Sequence, residues 1–320
     1  MIDFVSKRYL FFLISALIIL PGVISLVLPG GIHPGIDFTS GSILTLRFRQ
    51  PVDTAQVRQA FAELGHPEAI VQRAEDVFVV RTFPLALEER DAAGNVVRPS
   101  ERQTLEQQLD QRFGGVEVLQ FDSVSPIVAA EIVQRSILAV AAACVGILLY
   151  LSWAFHSVRK PWRYGACAVF ALIHDALLLL GVFSILGRLF GIELDALFIT
   201  ATLTVIGFSV HDTIVVFDRI RENVQRYVGE PFETVVNHSL TQTIGRSLNT
   251  SLTTMLVLIA LLLFGGVTIR SFVLALLIGI AAGTYSSIFN ASMLLVVWEN
   301  GELGRLFGRR PKAREAQAAA

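Results

Sequence analysis

Six runs of apolar residues, each long enough to cross a lipid bilayer, leave this chain few ways to fold. They lie at about 9–28, 136–155, 164–186, 196–217, 248–267 and 271–298. A membrane-spanning helix needs roughly 20 apolar residues, and in lipid every backbone polar group must be satisfied within the protein. Composition agrees: 53% of the 320 residues are hydrophobic and only 17% are charged, against about 25% charged in an ordinary soluble domain. The sequence therefore predicts a polytopic α-helical membrane protein built on a six-span bundle. A formal net charge of −1, with no basic stripe interleaved with aromatics, leaves no electrostatic footprint for nucleic acid. Cys144 and Cys167 both sit in apolar runs without metal-ligand spacing and read as packing or lipid-facing residues.

The distribution of cations orients the spans. Lys7 and Arg8 precede the first; Arg159, Lys160 and Arg163 separate the second from the third. Arg219, Arg221 and Arg226 follow the fourth, and Arg305, Arg309, Arg310, Lys312 and Arg314 fill the tail. The opposite short loops hold only Arg188 and Arg270. By the positive-inside rule both termini face the cytoplasm, which makes this a multi-pass protein of the cytoplasmic membrane. The first span is expected to be an uncleaved anchor, because its exit, "LVLPGGIHPG", lacks a small-residue cleavage pattern. The resulting map is a first span within 1–28, an extracytoplasmic domain at 29–135, and three spans within 136–217. A cytoplasmic amphipathic connector at 218–247, two spans within 248–298 and a basic cytoplasmic tail at 299–320 complete it. The connector should form two helices, broken at Gly229 and restarted at Pro231. The tail is expected to be disordered near anionic headgroups.

The long outer segment alternates element types. "SILTLRF" (42–48) has the two-residue period of a strand, and 53–65 has helical spacing ending in glycine. Residues 69–83 read as a hairpin and 89–100 as a loop. A second helix follows Ser100 and runs to a pair of glycines, and "VEVLQF" (116–121) closes the set as a strand. The order βαββαβ is that of a small α+β domain of ferredoxin-like type. With no cysteine, and His66 its one imidazole after the lead-in His33, the domain offers no nucleophile-and-base pair. A binding or lever element is expected there, neither an enzyme nor a holder of a metal or cofactor.

Ionisable residues inside the spans are few: His174 and Asp175 in the third, His211 and Asp212 in the fourth, Arg246 at the mouth of the fifth. An ionised group in lipid costs several kcal/mol, so each is a candidate functional site by default. Asp212 leads. It lies six residues before Asp218, or about 9 Å inside the end of its span. Arg246 stands at the same depth on a span that runs back antiparallel. Burial opposes the charged carboxylate and a nearby guanidinium supports it, so a moving Arg246 would make Asp212 a proton-coupled switch. A permanent structural ion pair is the competing reading. Asp175 reads as supporting; His174 and His211 read as packing. Spans five and six add a polar stripe of Asn249, Ser251, Thr253, Thr254, Thr284, Ser286, Ser287, Asn290 and Ser292. Most of it suits close helix packing, as do Gly279 and Gly283; Asn249 and Thr253 are the candidates for a hydrated path toward Asp212.

Several stretches together resemble one family. "GIDFTSGS" after the first span is similar to the GxDFTGG-type sequence of SecF, the accessory membrane subunit of the Sec export machinery. "LIHDALLLLG", "GFSVHDTIVVFDRIREN", "QTIGRSLNTSLTT" and "FVLALLIGIAAGTYSSIFNAS" resemble its remaining signatures in order and spacing. The resemblance implies membership of the proton-driven resistance-nodulation-division superfamily. It further implies a SecD partner, a SecYEG channel, a translocating preprotein and use of the proton-motive force to complete export. It places the family's proton-coupling aspartate at Asp212, its fifth-span arginine at Arg246 and its third-span aspartate at Asp175. Ser40 stands where the family usually has glycine. Two other functions fit a six-span chain: half of a proton-driven small-molecule exporter, and a non-transporting scaffold that stabilises a channel complex. The single small outer domain argues against the first, and the second expects Asp212 to be dispensable.

Overall fold

The computed structural model describes residues 3–74, 76–86, 88–90, 96–158, 160–266 and 269–302. The basic tail from 303 onward, Arg159 and the middle of the 89–100 loop lie outside the described residues. In chain order, a single 3-10 turn (Val5–Lys7) leads into α1 (Arg8–Val27), α2 (Ile36–Thr39), β1 (Gly41–Phe48) and α3 (Thr54–Glu63). Next come β2 (Ile70–Ala74), β3 (Val77–Thr82), β4 (Glu89–Arg90), β5 (Val96–Arg98), α4 (Glu101–Phe113) and β6 (Val116–Val124). The remainder is helical: α5 (Pro126–Ala154), α6 (Trp162–Phe190), α7 (Ala196–Arg226), α8 (Phe232–Phe264), α9 (Arg270–Tyr285), a π-helical stretch (Ser286–Ala291) and α10 (Ser292–Glu299). Contacts divide the chain into two compact units, Pro34–Ile137 and the remainder.

In the smaller unit, β1 pairs antiparallel with both β3 and β6, and β3 with β2, giving the sheet order β2-β3-β1-β6. Alternation decides what this sheet buries: Leu44 and Leu46 of β1, Phe78 and Val80 of β3 and Val71 of β2 point inward. They meet Val57, Ala60 and Phe61 of α3 and Leu105 and Leu109 of α4 in one apolar core. Asp53 starts α3 with a reciprocal capping box with Gln56. Ser100 occupies the capping position of α4 without a side-chain capping bond; the Glu101 carboxylate instead accepts from the Ala86 amide. The expected 89–100 loop carries the short β4-β5 antiparallel ladder, so it is partly ordered rather than simply looped.

Two features of this unit make predictions. Ser40 adopts φ 64° and ψ 163°, a region essentially reserved for glycine and costing other residues about 1–3 kcal/mol. Ser40→Gly should therefore stabilise the unit by about 1 kcal/mol, read as slower amide exchange in β1 of the full chain. Glu68 meets opposing influences. Partial burial works against its charge, but the Thr82 hydroxyl (2.6 Å) and the Phe83 amide (3.3 Å) outweigh that and hold its carboxyl below the ordinary range. A depressed folded value stabilises the fold above the unfolded value and is lost as pH falls through the folded one. Exchange protection of β3 should thus decline below about pH 4.3, and Glu68→Gln should flatten that decline.

Among the described residues, six helices are long and apolar enough to cross a membrane. Their ends differ from expectation in one respect. Spans four and five do not stop at the membrane boundary: α7 runs on to Arg226 and α8 begins at Phe232, so the expected connector helices are extensions of the spans themselves. The break around Gly229, at φ 95°, is where it was expected. Asn223, fully buried, donates from its amide to Ser239 and Gln242 and ties the two extensions together. At the other end of the bundle α1 packs on α6 through Gly22 and Gly181, where a Cβ on either would come within 2.7 Å of the other's Cα. Ser25 and Ser184 share a hydrogen bond of 2.7 Å one turn further on, and Arg188 donates to the carbonyls of Ser25, Leu28 and Pro29. Those are among the carbonyls that the end of α1 leaves without helical partners.

Candidate functional site

Helical phase brings the polar residues of four spans into the interior. On α7 the inward face carries Thr202, Val205, Ser209, Asp212 and Val216, three or four residues apart, with Thr213 beside them, all buried. α6 presents His174 and Asp175 to the same interior, and Asp175 is wholly inaccessible. α9 approaches α7 closely because Gly279 faces Val205 and Gly283 faces Ser209; a Cβ on Gly279 would stand 2.2 Å from a Val205 methyl. The π-helical stretch that follows aims Ser287 and Asn290 inward. Such one-residue irregularities recur at functional sites.

Two hydrogen-bonded clusters result. In the first, Asp175 Oδ2 accepts from Ser209 Oγ at 2.6 Å and its Oδ1 lies 3.0 Å from His174 Nδ1. His174 Nε2 stands 2.9 Å from Asn290 Nδ2, and Asn290 also exchanges hydrogen bonds with Ser15 of α1. Since an amide nitrogen only donates, Nε2 is the accepting nitrogen and Nδ1 carries the hydrogen toward Asp175. His174 is thus a link in a fully partnered chain. Ser287 extends the chain by accepting from Thr213 (2.9 Å) and donating to the Ser209 carbonyl (2.8 Å).

The second cluster surrounds Asp212. Its carboxylate is buried and accepts a long hydrogen bond, 3.3 Å, from Ser251 Oγ of α8. Ser251 in turn accepts from Thr284 of α9 at 2.6 Å. Ser247, one turn before Ser251 on the same face, is buried with its hydroxyl beside Asp212. No ion pair reaches Asp212 among the described residues, whereas Asp175 has His174 beside it.

Residues expected at the site divide accordingly. Asp212 and Asp175 face the interior, and His211 is exposed as its 100° offset requires. Arg246 does not meet Asp212 here: it is exposed, and it lies about 120° around α8 from the direction shared by Ser247 and Ser251. Asn249 and Thr253 are exposed on the opposite side of α8, so neither lines a path to Asp212. Two residues along a helix turn a side chain by about 200°; an unlocated polar stripe could not reveal which serines face in. Ser15, Ser209, Thr213 and Ser247 were not expected. Ser209 and Thr213 carried a signal, standing three residues before and one after Asp212; Ser15 carried none, since its partner Asn290 is 275 residues away.

Residues 104–301 match the family described as protein export membrane protein SecD/SecF, C-terminal, and residues 30–52 match the SecD/SecF GG motif. The chain is 52% identical to the protein translocase subunit SecF of Thermobaculum terrenum, covering 97% of this chain and 98% of that one. It is 43% identical to the protein of the same description from Anaerolinea thermophila, over 99% of this chain and all of the other. Its structure resembles that of SecDF from Thermus thermophilus, described as a translocon-associated membrane protein, with a TM-score of 0.77 and 32% identity. That match covers 93% of this chain but 39% of the SecDF chain, so this chain spans about two fifths of it.

Proposed function

The chain belongs to the SecF family of protein translocase subunits, and on that premise we propose that it uses the proton-motive force, through Asp212, to help the Sec machinery complete export. It is an accessory, multi-pass membrane subunit of that translocase. The observation that carries the coupling is the setting of Asp212: a buried carboxyl among the hydroxyls of Ser251, Thr284 and Ser247, with no cation paired to it among the described residues. Such a group is suited to exchanging a proton, because hydroxyls can donate to its ionised form or accept from its protonated form, and no paired cation fixes its charge.

In this reading Arg246 is the cation whose approach favours proton release. Asp175, already bonded to Ser209 and His174, is a supporting group; Asn249 and Thr253 belong to the outer face of α8. The protein works with SecD, with a SecYEG channel and with the preprotein, without enzymatic turnover of its own. The Lys7, Arg8, Arg163 and Arg219 end of the bundle is cytoplasmic, within the cytoplasmic membrane. The α+β unit is a ferredoxin-like domain, a reading its sheet order β2-β3-β1-β6 supports, and it contacts the emerging polypeptide or the partner outside. The test is preprotein export into vesicles with and without a proton gradient. Arg246→Ala should lose most of the gradient-dependent stimulation; full stimulation would remove Arg246 from the mechanism.

A further inference from the structure

Building on the proton-coupling reading of Asp212, we infer that Ser251 and Thr284 form with it a hydroxyl chain whose donor direction reverses with the proton. The members lie on three different helices: Asp212 on α7, Ser251 on α8 and Thr284 on α9. All three are buried. The contacts run Asp212 Oδ2 to Ser251 Oγ (3.3 Å), Ser251 Oγ to Thr284 Oγ1 (2.6 Å) and Thr284 Oγ1 to the Ile280 carbonyl (2.9 Å).

Hydroxyl bookkeeping allows two arrangements. Each hydroxyl has one hydrogen to donate and lone pairs to accept, so Thr284 cannot donate to Ser251 and to Ile280 at once. When Asp212 is ionised, Ser251 donates to the carboxylate and Thr284 donates to Ser251. When Asp212 is protonated, its O–H donates to Ser251, Ser251 donates to Thr284, and Thr284 turns to the Ile280 carbonyl. Every member has a partner in both states. One proton is gained at Asp212, two hydroxyls rotate, and no heavy-atom bond changes. The Ile280 carbonyl is the terminal acceptor that makes the second arrangement complete.

The surroundings favour this pair over other groups. On α7, His211 is exposed, and Thr213 is committed to Ser287. On α8, Arg246 is exposed, and Ser247 lies beside Asp212 but makes no further link to another helix. On α6, His174 and Asp175 are bonded to each other and to Asn290 and Ser209. On α9, Tyr285 donates to the Phe11 carbonyl. Ser251 and Thr284 are therefore positioning residues: they carry the protonation state of Asp212 into α8 and α9, which must shift for coupling to have a mechanical output.

The test reads the Asp212 carboxyl directly. In the full-length protein in membranes, the carbonyl stretching band of protonated Asp212 is assigned by infrared difference spectroscopy as the band lost in Asp212→Asn. Hydrogen bonds in a chain polarise one another, so Thr284→Val, which deletes only the hydroxyl at nearly constant shape, should shift that band. Thr284→Ser should restore it. Gradient-stimulated export should fall roughly fivefold in Thr284→Val, as for loss of one hydrogen bond worth about 1 kcal/mol, and recover in Thr284→Ser. An Asp212 band left at its wild-type position by Thr284→Val overturns the chain, whatever export does. Full stimulation in Asp212→Asn would instead overturn the coupling reading, so the two failures are separable.

Discussion

Asp212→Asn should abolish the gradient-dependent part of preprotein export while leaving the protein folded. Asparagine has nearly the shape of aspartate and still offers an oxygen to Ser251, 3.3 Å away in the wild type. It cannot take up or release a proton. Because the carboxylate it replaces is buried without a paired cation among the described residues, the substitution also removes a desolvation penalty. Thermal stability in detergent should be unchanged or raised. That combination separates a coupling role from a structural one, since a residue acting as a clasp would lose stability when altered. Asp175→Asn should behave oppositely. It would disturb the 2.6 Å Ser209 bond and the His174 contact, and breaking a satisfied buried network costs on the order of 1–3 kcal/mol. Unchanged gradient stimulation in Asp212→Asn would favour a non-transporting scaffold.

The largest loss of stability is expected at Gly181. A Cβ there would lie 2.7 Å from the Gly22 Cα and 3.1 Å from its carbonyl carbon, both backbone atoms that no rotamer change can withdraw. Overpacking a well-fitted interior costs about 1–3 kcal/mol and occasionally more. Gly181→Val should reach or exceed the top of that range, and Gly181→Ala should fall below it. The force of the contact lies in its surroundings. Separating α1 from α6 also lengthens the Ser25–Ser184 hydrogen bond and withdraws Arg188 from the end of α1. In lipid, where association depends on close packing and hydrogen bonds rather than on the hydrophobic effect, little else would compensate. Detergent melting of Gly181→Val against wild type checks this; equal midpoints would show that the helices part without cost. Gly279→Val should destabilise as well, because both Val205 methyls (2.2 and 2.9 Å) and its Cβ (3.1 Å) stand in the way and a β-branched side chain has little room to turn aside.

Much of the architecture could be read from local patterns. The six apolar runs each became a helix at the expected place, because a run's length and composition alone decide whether lipid accepts it. The strands and helices of the α+β unit followed equally well, since a two-residue period and a capping Asp53 act within a few residues. What failed at this level were boundaries. Nothing in the sequence near Asp218 stops α7, which ends where Tyr227 and Gly229 depart from helical geometry, and polar residues are as compatible with a helix leaving the membrane as with a separate one. Ser40 was flagged as a departure from glycine, but only its φ of 64° shows that the departure is strained.

The candidate site divides along the same line. That Asp212 is the costly residue of its helix, and that His211 points elsewhere, follow from the sequence, because charge in lipid and 100° per residue are properties of one helix. Its partners are not. Whether α8 turns Ser247 and Ser251 or Asn249 and Thr253 toward Asp212 depends on the rotation of that helix against α7 and α9, and polar residues occupy both faces. The rotation is decided by contacts of α8 with its neighbours, such as Ser251 with Thr284 of α9 and Ser239 with Asn223 of α7. The link from Ser15 to Asn290 and His174 joins residues more than a hundred positions apart, aimed by a π-helical stretch with no local signature. The sequence by itself determined which residue is costly to bury. Only the tertiary structure decided which hydroxyls surround it, because that depends on how helices turn against one another and not on any helix alone.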